Sequence, residues 1–600
     1  MQLFNVKKSF SLTLLYCIIS LLFSIIPILA APYYGFSYDV IIIGSDPEGI
    51  SAAISSARNG SRVLLVDTRS DVGGLYTSGM LSMLDMNYIA PNTFQTVNAG
   101  FFKEFYDETA DSANIDIPKT KKYFTNLLQK EKVDRHLGVS DITPIKQDNK
   151  VVGLSYTKAG NTFHVKGKVF IDASRDAKFA RASGVPYNVG REELGMKNEY
   201  AAATLVFSVK GADWPKIKAY LNTDNSIYTG ATAKTAWGYP NMLSYTPSSS
   251  AFQLRRLNLS LQDDGSVVIN AFQIFNTDSL DENNIHKNYQ AAVKELPAIV
   301  KYLNQEAIGF ENAVLHQYAD ELYIREGVRI IGEYTLTGED LFNNINFKDK
   351  IAYGSYPMDL QATRRDRFGG TILSSRNIYT IPITIMVPKL IDNLLIVGRS
   401  ASYDPLAHSS ARTVPVGMAL GQAAGILASY SIDHSLSVRT CSLDSSHVRN
   451  IQTVLIASGV TLDTPLNTIH PEKSSWAYPY IVSLRKKAFL SMEYDFKNDY
   501  RCRETATFET LSRILTLIQA NSSIKLPAPT APSHTHAALT PWQIVSIFNH
   551  LLNTHHKDLN ALYHADIIDY NTFIHIDKKK VLLNEDLYAM MSGLIDYIMP

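Results

Sequence analysis

The sequence is poor in cysteine and carries no excess charge of either sign. Its 600 residues include three cysteines, Cys17, Cys441 and Cys502, and iron–sulfur clusters and cysteine-based zinc sites need about four ligands each. Its 57 basic side chains balance 57 acidic ones, so the chain lacks the cationic character of a nucleic-acid-binding protein. Charged residues make up 19% and apolar residues 46%, which predicts a packed globular protein rather than a disordered one.

Several catalytic motifs are absent as well. The sequence contains no Gly-x-Ser-x-Gly nucleophile elbow, no His-Glu-x-x-His helix and no P-loop. These absences argue against serine hydrolases of that type, zinc peptidases and P-loop nucleotide hydrolases. We predict no metal site.

The first 31 residues have the features of a secretory signal. Lys7 and Lys8 precede an apolar run at 11–30, and small residues follow at its end. A run of about 20 residues would also span a bilayer, so an uncleaved anchor is the alternative. In either case we expect the remainder to be secreted, periplasmic or at the cell surface, where Cys441 and Cys502 either pair or stay as separate buried thiols.

A glycine-rich turn follows at residues 44–49. Residues 38–43 are mostly apolar and β-favouring, which predicts a buried strand, and the small residues from Gly49 onward predict a helix that lies close to it. Gly44 would make the tight turn, and the first helical amides would then face a pyrophosphate.

Two later features suggest which dinucleotide this turn would bind. The next strand pattern ends at Asp67, where a dinucleotide-binding fold places the carboxylate that binds ribose hydroxyls. Gly73 and Gly74 follow directly and would let the backbone approach a flavin. Together with the turn, they favour FAD over NAD.

These motifs resemble those of the FAD-dependent oxidoreductase family, whose members have a Gly-x-x-Pro-x-Gly turn and a later Gly-Gly-x-x-Thr/Ser-x-Gly segment. Three further stretches keep the family order, at 168–176, 323–340 and 387–425. The last contains Gly-Arg-Ser at 398–400 and Gly-Gln-Ala-Ala-Gly at 421–425 and is the most specific. The resemblance covers about residues 38–430.

The resemblance implies an α/β protein with a FAD/NAD(P)-binding Rossmann-like domain, an inserted mixed α/β substrate lobe and a mostly helical C-terminal region. The expected domains are listed in chain order: a signal peptide or N-terminal anchor at 1–31, the first part of the FAD-binding domain at 38–190, the substrate lobe at 191–380, the second part of the FAD-binding domain at 381–432, and the helical region at 440–600 with a linker at 525–541. The helical region faintly resembles a surface-layer-homology module. The alternative is a helical cap packed on the enzyme.

The resemblance also implies a set of FAD-binding residues: Gly44, Asp46, Pro47, Glu48, Gly49, Asp67, Gly73, Gly74, Ala173, Gly398, Arg399, Pro415, Val416 and Gly417. Glycine at 398 would permit close approach to the pyrophosphate, and arginine beside it can bind phosphate. A helix beginning near Pro415 would direct its amides at the flavin, although an ordinary packing helix is the alternative.

Two residues depart from the family pattern. Asp46 stands where many flavoproteins have glycine. Arg175 replaces a glycine near the adenosine end, where it could either pair with a phosphate or obstruct the cofactor.

Candidate catalytic residues are His408 and Arg412, which lie four residues apart in the predicted loop that leads into the helix beginning near Pro415. They could bind a substrate oxyanion, or His408 could shuttle a proton, with a structural histidine as the alternative. Arg325, Arg329 and Tyr356 are candidate substrate residues. Either arginine could instead pair with a neighbouring glutamate.

The sequence therefore predicts a secreted or surface-exposed FAD-dependent oxidoreductase that transfers a hydride from a small organic substrate to flavin N5. A separate electron acceptor and attachment to the cell envelope or membrane are expected, and a nucleic-acid partner is not. Two alternatives stay open. One is a non-redox flavin-dependent hydratase or isomerase, and the other is a non-catalytic envelope-binding protein with a decayed cofactor site.

Overall fold

The structure is a computed structural model that describes residues 35–89, 95–223, 226–366, 371–374, 377–466, 470–492, 499–527, 536–576 and 578–599. The expected signal or anchor at 1–31 and the middle of the expected linker at 525–541 lie outside these residues. Within the described ranges, none of the helices combines the length and apolar character needed to cross a membrane.

The strands are β1 (Phe36–Ile43), β2 (Val63–Asp67), β3 (Ala110–Asp111), β4 (Asn114–Ile115), β5 (Asp134–Leu137), β6 (Ser140–Gln147), β7 (Lys150–Lys158), β8 (Asn161–Asp172), β9 (Tyr187–Val189), β10 (Ala203–Lys210), β11 (Gly230–Ala231), β12 (Thr235–Gly238), β13 (Phe252–Leu254), β14 (Leu257–Leu261), β15 (Val267–Ile274), β16 (Val314–Tyr318), β17 (Val328–Ile330), β18 (Lys350–Gly354), β19 (Met358–Leu360), β20 (Thr371–Ser374), β21 (Tyr379–Pro382) and β22 (Leu394–Ile396).

The helices are α1 (Pro47–Arg58), α2 (Phe101–Thr109), α3 (Ile117–Lys130), α4 (Lys178–Ser183), α5 (Trp214–Leu221), α6 (Glu282–Glu306), α7 (Gly338–Phe342), α8 (Pro405–Ala411), α9 (Val414–Asp433), α10 (Val438–Leu443), α11 (Ser445–Ala457), α12 (Tyr478–Lys486), α13 (Phe508–Asn521), α14 (Pro541–Leu552), α15 (Leu559–His564), α16 (Tyr570–Ile576) and α17 (Asn584–Ile598).

The first sheet has the strand order β5-β2-β1-β8-β7-β6, and β22 also pairs with β8. Strand β1 runs parallel to both β2 and β8, and β22 is parallel to β8. The carboxyl ends of these four strands therefore meet at one edge, where open α/β sheets bind their ligands. This arrangement confirms the predicted Rossmann-like domain, to which residues before 173 and residues after 393 both contribute strands.

Helix α9 is pressed against α1, and small residues on both helices make this possible. A Cβ added to Gly421 would lie 2.1 Å from the Glu48 carbonyl oxygen, and one added to Gly425 would lie 2.6 Å from that of Ala52. The Ser51 hydroxyl donates a 2.6 Å hydrogen bond to the Met418 carbonyl. This contact fixes the beginning of α9 beside the glycine-rich turn.

The segment between the two parts of the first sheet forms a lobe with its own sheet. Its order is β11-β12-β14-β15-β10-β16, with β13 also paired to β15, and its pairings are antiparallel. Helix α6 packs on β10 and β16. The lobe has a separate buried core of Val, Leu, Ile and aromatic side chains.

The C-terminal region is helical, as predicted, and contains a closed ring of backbone hydrogen bonds. The Ala506 amide donates to the Leu582 carbonyl, the Leu582 amide to that of Leu539, and the Leu539 amide to that of Ala506, at 2.9, 2.9 and 2.8 Å. Each of these residues lies shortly before a helix, α13, α17 or α14. Three segments of this region are therefore arranged alike around one centre.

Cys441 and Cys502 do not form a disulfide with each other. Both are separate buried thiols, which is the second of the two alternatives given above.

Candidate active site and cofactor cleft

A cavity of about 1010 Å³ opens at the carboxyl edge of the first sheet. Gly44 and Asp67 line it at the ends of β1 and β2, and Ser174 and Arg175 line it beyond β8. Lys178 and Arg181, at the start of α4, add positive charge. Its position and its cations suit the adenosine and phosphate end of a dinucleotide.

The turn between β1 and α1 needs its glycines. Gly44 has a φ of +100°, and a Cβ there would lie 2.7 Å from the Ala173 carbonyl oxygen. A Cβ on Gly49 would lie 2.9 Å from the Cβ of Ala173. These contacts hold the turn against the end of β8, so Ala173 acts here through packing.

Asp67 is already hydrogen-bonded to the same turn. Its Oδ2 accepts from the Ser45 amide at 2.5 Å and from the Ser45 hydroxyl at 2.6 Å. The Arg69 guanidinium lies 3.2 Å from the same oxygen. The acid expected to bind ribose thus also fixes the turn.

Asp46 is the residue immediately before α1, and Pro47 is the first helical residue. A residue at this position commonly caps its helix through its side chain, but Asp46 makes no such bond. Its Oδ1 instead accepts a 2.7 Å hydrogen bond from the Leu75 amide. Its Oδ2 is buried and has no hydrogen-bond partner among the described residues.

Two arginines lie beside this second oxygen. Nη2 of Arg399 is 3.6 Å away and Nη2 of Arg69 is 3.7 Å away. Burial works to raise the pKa of Asp46, but the charges of Arg69 and Arg399 outweigh it and hold the pKa below its ordinary value. Asp46 is therefore a charged carboxylate inside the protein.

Glu48 is a second buried acid at the start of α1. Burial and the neighbouring charge of Asp46 raise the pKa of Glu48 to about 7. A Cβ on Gly398 would lie 2.3 Å from Glu48 Oε1, and one on Gly417 would lie 3.6 Å from Oε2. A Cβ on Gly74 would likewise lie 1.9 Å from Asp46 Oδ1. Three of the glycines predicted to approach the cofactor thus face a carboxylate.

The remaining predicted cofactor residues lie around the same turn and helix. Gly73 adopts a φ of +101° and packs on Thr77. Pro415 and Val416 are buried in the first turn of α9, and the residue before this helix, Thr413, does not cap it through its side chain. The first backbone amides of α9 therefore receive no hydrogen bond from Thr413, and amides at such a position favour a negatively charged group.

A second group of arginines lies between this helix and the lobe. Nη1 of Arg412 donates a 3.1 Å hydrogen bond to the hydroxyl of Tyr323. The guanidinium of Arg325 lies 4.3 Å from the centre of the same ring and donates to the Thr204 hydroxyl at 2.6 Å. We call Tyr323, Arg325 and Arg412 the arginine–tyrosine cluster.

Negative charge near this cluster is limited. Nη2 of Arg412 lies 4.0 Å from Oδ2 of Asp359. Burial raises the pKa of Asp85, although the charge of Arg412 opposes this shift. Burial also lowers the pKa of Arg325 to about 10, and the charges of Arg412 and Arg255 add to that effect. With Arg255 included, three guanidinium groups face the two carboxyl groups of Asp85 and Asp359, so positive charge is in excess by one even when both acids are ionised.

His408 is buried beside this cluster in α8, so it lies in a short helix and not in the predicted loop. Its Nε2 has no hydrogen-bond partner within the described part of the chain. Burial, followed by the charges of Arg329 and Arg412, lowers the pKa of His408 well below its ordinary value. The imidazole is therefore neutral at pH 7 and has a ring nitrogen free to hydrogen-bond a substrate.

The structure places the other two candidate substrate-binding residues, Tyr356 and Arg329, in different surroundings. Tyr356 hydrogen-bonds Asp85 through its side chain and lies near Arg412, so it belongs to the site. Arg329 does not, because it is fully buried, donates to Glu193 at 2.7 Å and donates to the Tyr403 carbonyl at 3.1 Å. Its regular spacing from Arg325 does not place the two side chains together, since Arg329 lies in β17 and Arg325 precedes that strand.

Several site residues were not predicted from the sequence: Arg69, Asp85, Arg255 and Tyr323. Arg69 follows Asp67 by two positions, a signal that a search for cations near the ribose-binding acid would have found. The other three are brought in by the lobe and by the loop after the glycine pair, and no local motif marks them.

Comparison with known proteins places the chain in a family. The family model described as FAD dependent oxidoreductase matches residues 39–455. The chain belongs to this family. It is an FAD-dependent oxidoreductase, and its cofactor is FAD.

Individual relatives are distant. The digeranylgeranylglycerophospholipid reductase of Thermoplasma volcanium is 28% identical over 171 residues, which is 25% of this chain and 42% of that protein. The match thus spans less than half the length of that curated relative. Among solved structures, a geranylgeranyl bacteriochlorophyll reductase-like protein from Thermoplasma acidophilum has a TM-score of 0.36 at 13% identity and covers 81% of this chain and 96% of its own. A flavin-dependent brominase also has a TM-score of 0.36 at 13% identity, with coverages of 75% and 94%.

The residues of this FAD-dependent oxidoreductase fit its cofactor, with one departure. The cationic cavity and Gly44 suit the adenosine end, and the uncapped start of α9 suits an electron-rich ring edge. Arg69 and Arg399 suit a pyrophosphate between these two ends. The departure is that Asp46 and Glu48 stand in this middle position.

Proposed function

We propose that this FAD-dependent oxidoreductase oxidises a small anionic organic substrate by hydride transfer. The observation that carries the proposal is the arginine–tyrosine cluster. Arg325 and Arg412 are both buried, and the ion pair of Arg412 with Asp359 is long, at 4.0 Å. Buried cations are costly unless a nearby negative charge offsets them. A carboxylate on the substrate would supply that charge.

FAD, when bound, supplies a hydride acceptor at flavin N5. Arg412 and Arg325 would hold the substrate carboxylate, and Nε2 of His408 would hydrogen-bond the substrate and orient it. The proton released with the hydride needs an acceptor, and we assign Asp85, because burial raises its pKa toward the range in which a carboxylate accepts a proton. The uncapped amides of α9 would stabilise negative charge that develops on the ring.

The cluster is nearly closed in the absence of substrate. The space bounded by Arg325, His408 and Arg412 measures about 10 Å³, which is room for about one water molecule. An organic substrate would therefore enter only with side-chain movement.

The test is anaerobic mixing of the FAD-loaded chain with small carboxylic acids while the visible flavin absorbance is recorded. We expect at least one acid to bleach the flavin band, and readmission of an electron acceptor to restore it. A flavin that stays oxidised while a substrate is converted would contradict hydride transfer and favour the hydratase or isomerase alternative.

We also propose that the chain acts outside the cytoplasm, with residues 1–31 as signal or anchor and the C-terminal region as an attachment to the cell envelope. The apolar run at 11–30 supports the first part. The three similarly arranged segments that the ring of backbone hydrogen bonds joins support a repeat module. Mass spectrometry of the protein recovered from each cell fraction tests both. Full-length protein in the cytosolic fraction would contradict them.

A further inference from the structure

We propose that the Asp46 carboxylate is an internal anion that occupies the position of the FAD pyrophosphate between Arg69 and Arg399, and that FAD binds by displacing it. The inference rests on the proposed function, since it concerns the cofactor of the same site. It concerns Asp46, one of the two acids at which the residues of the cleft depart from what the cofactor needs.

The first step is the position of residue 46 in the fold. In a turn that joins a first strand to a dinucleotide-binding helix, the second glycine is small so that the pyrophosphate can approach the backbone. Asp46 holds this position and places a charged side chain there. The helix that follows, α1, is 12 residues long, and its N-terminal end favours an anion.

The second step is the orientation of the Asp46 side chain. It turns away from the amides of its own helix, although those are the groups that a residue before a helix commonly binds. One oxygen is held by the Leu75 amide, and the other points between Arg69 and Arg399 without a hydrogen bond in the described structure. An unpartnered carboxylate oxygen that is almost wholly buried and flanked by two guanidinium groups marks an anion position.

The third step is the environment of the two arginines. Arg69 is already held by Glu321 at 2.9 Å and lies 3.2 Å from Asp67 Oδ2, whereas Arg399 pairs with Asp46 at 3.6 Å. Gly74, with no side chain, leaves the room that Asp46 Oδ1 fills. When a pyrophosphate enters, both arginines can bind it, and the displaced carboxylate must turn toward the amides of α1 or toward the open cavity.

The experiment compares FAD and ADP binding by the full chain and by Asp46→Ala and Asp46→Gly variants. ADP carries the pyrophosphate without the flavin, and isothermal titration calorimetry gives both dissociation constants. We expect each variant to bind both ligands on the order of 100-fold more tightly than the unmodified chain, because like charges in close contact cost several kcal/mol. The melting temperature without ligand reports whether each variant is folded.

A matched control is Asp71→Asn. Asp71 lies in the same segment of the cleft but is exposed and paired with Lys121 at 2.8 Å, so its removal should leave both dissociation constants within about twofold. Equal affinities of the unmodified chain and of a folded Asp46 variant, or weaker binding by the variants, would overturn the inference. Failure of the proposed function has a different signature, namely FAD that binds but is not reduced by any anionic substrate.

Discussion

Two of the arginine pairs in this protein differ in where the negative charge beside them comes from. Arg69 and Arg399 face the carboxylate of Asp46, which belongs to the chain itself. Arg325 and Arg412 lie around one tyrosine ring, and the ion pair of Arg412 with Asp359 is long, at 4.0 Å. Buried cations need compensation, and the first pair is balanced within the chain. The second pair, together with Arg255, outnumbers the carboxyl groups of Asp85 and Asp359, and we propose that a substrate anion supplies the missing charge.

Removing Arg412 should have the largest effect. Arg412→Gln keeps a polar side chain but removes the charge that would hold a substrate carboxylate. We expect the rate constant of flavin reduction divided by the substrate dissociation constant to fall roughly 100-fold or more, as for a buried charge pair that loses one partner. Anaerobic stopped-flow absorbance measures it.

The matched control for that variant is Arg256→Gln, since Arg256 is an exposed arginine next to Arg255, stacked on Tyr228 at 5.2 Å. An equal loss of activity in both variants would mean that general charge, rather than the arginine–tyrosine cluster, determines the rate.

Another buried arginine, Arg485, tests whether an ion pair within the chain stabilises the fold. Arg485, in the helical region, donates to both oxygens of Glu339 at 2.7 and 2.6 Å and lies 3.5 Å from the ring centre of Phe342. Arg485→Ala leaves Glu339 without its cation, so we expect a loss of about 3–5 kcal/mol in the free energy of unfolding. Denaturant unfolding followed by circular dichroism measures the loss.

Lys487→Ala is the matched control for Arg485→Ala. Its ion pair with Asp596, at 2.7 Å, is partly exposed, and we expect a loss below about 1 kcal/mol. Similar losses from both substitutions would show that the helical region is not held to the cofactor domain through Arg485.

A last predicted effect is a pH dependence of stability from Glu48. Its pKa in the folded chain is about 7, above the ordinary 4.5, so the folded chain holds a proton that the unfolded chain has released. The contribution to stability is therefore full below about pH 4.5 and is lost as the pH rises to about 7. Melting temperatures from pH 5 to pH 8 should fall by a few degrees more in the unmodified chain than in Glu48→Gln, since one pKa unit is worth about 1.4 kcal/mol. If the melting temperature depended on pH equally in both proteins, a raised pKa for Glu48 would be contradicted.

The sequence predicted those parts of the site that are encoded locally. The strand, the turn at Gly44 and Gly49, the acid at Asp67 and the helix beginning near Pro415 are all present, because glycine, proline and β-branched patterns act over a few residues. It also identified Asp46 as a departure from the family pattern.

The pairing of side chains from distant segments could not be predicted in this way. Arg69 and Arg399 meet at Asp46 only because β22 joins the first sheet beside β8. Tyr323 joins Arg412 because the lobe folds back on α8 and α9. For Arg329 the structure has the ion-paired alternative, with Glu193 at 2.7 Å and Glu326 at 3.8 Å, because spacing along the chain does not determine which way a buried side chain points between two layers.

The measurement that tests this account most directly is an anaerobic titration of the FAD-loaded chain with small hydroxy and amino carboxylic acids, each beside its primary amide. The amide keeps the size and the reacting C–H bond but removes the negative charge. The account predicts that an acid bleaches the flavin at least about 100-fold faster than its amide, because only the acid can offset Arg325 and Arg412. Equal rates for acid and amide would contradict it.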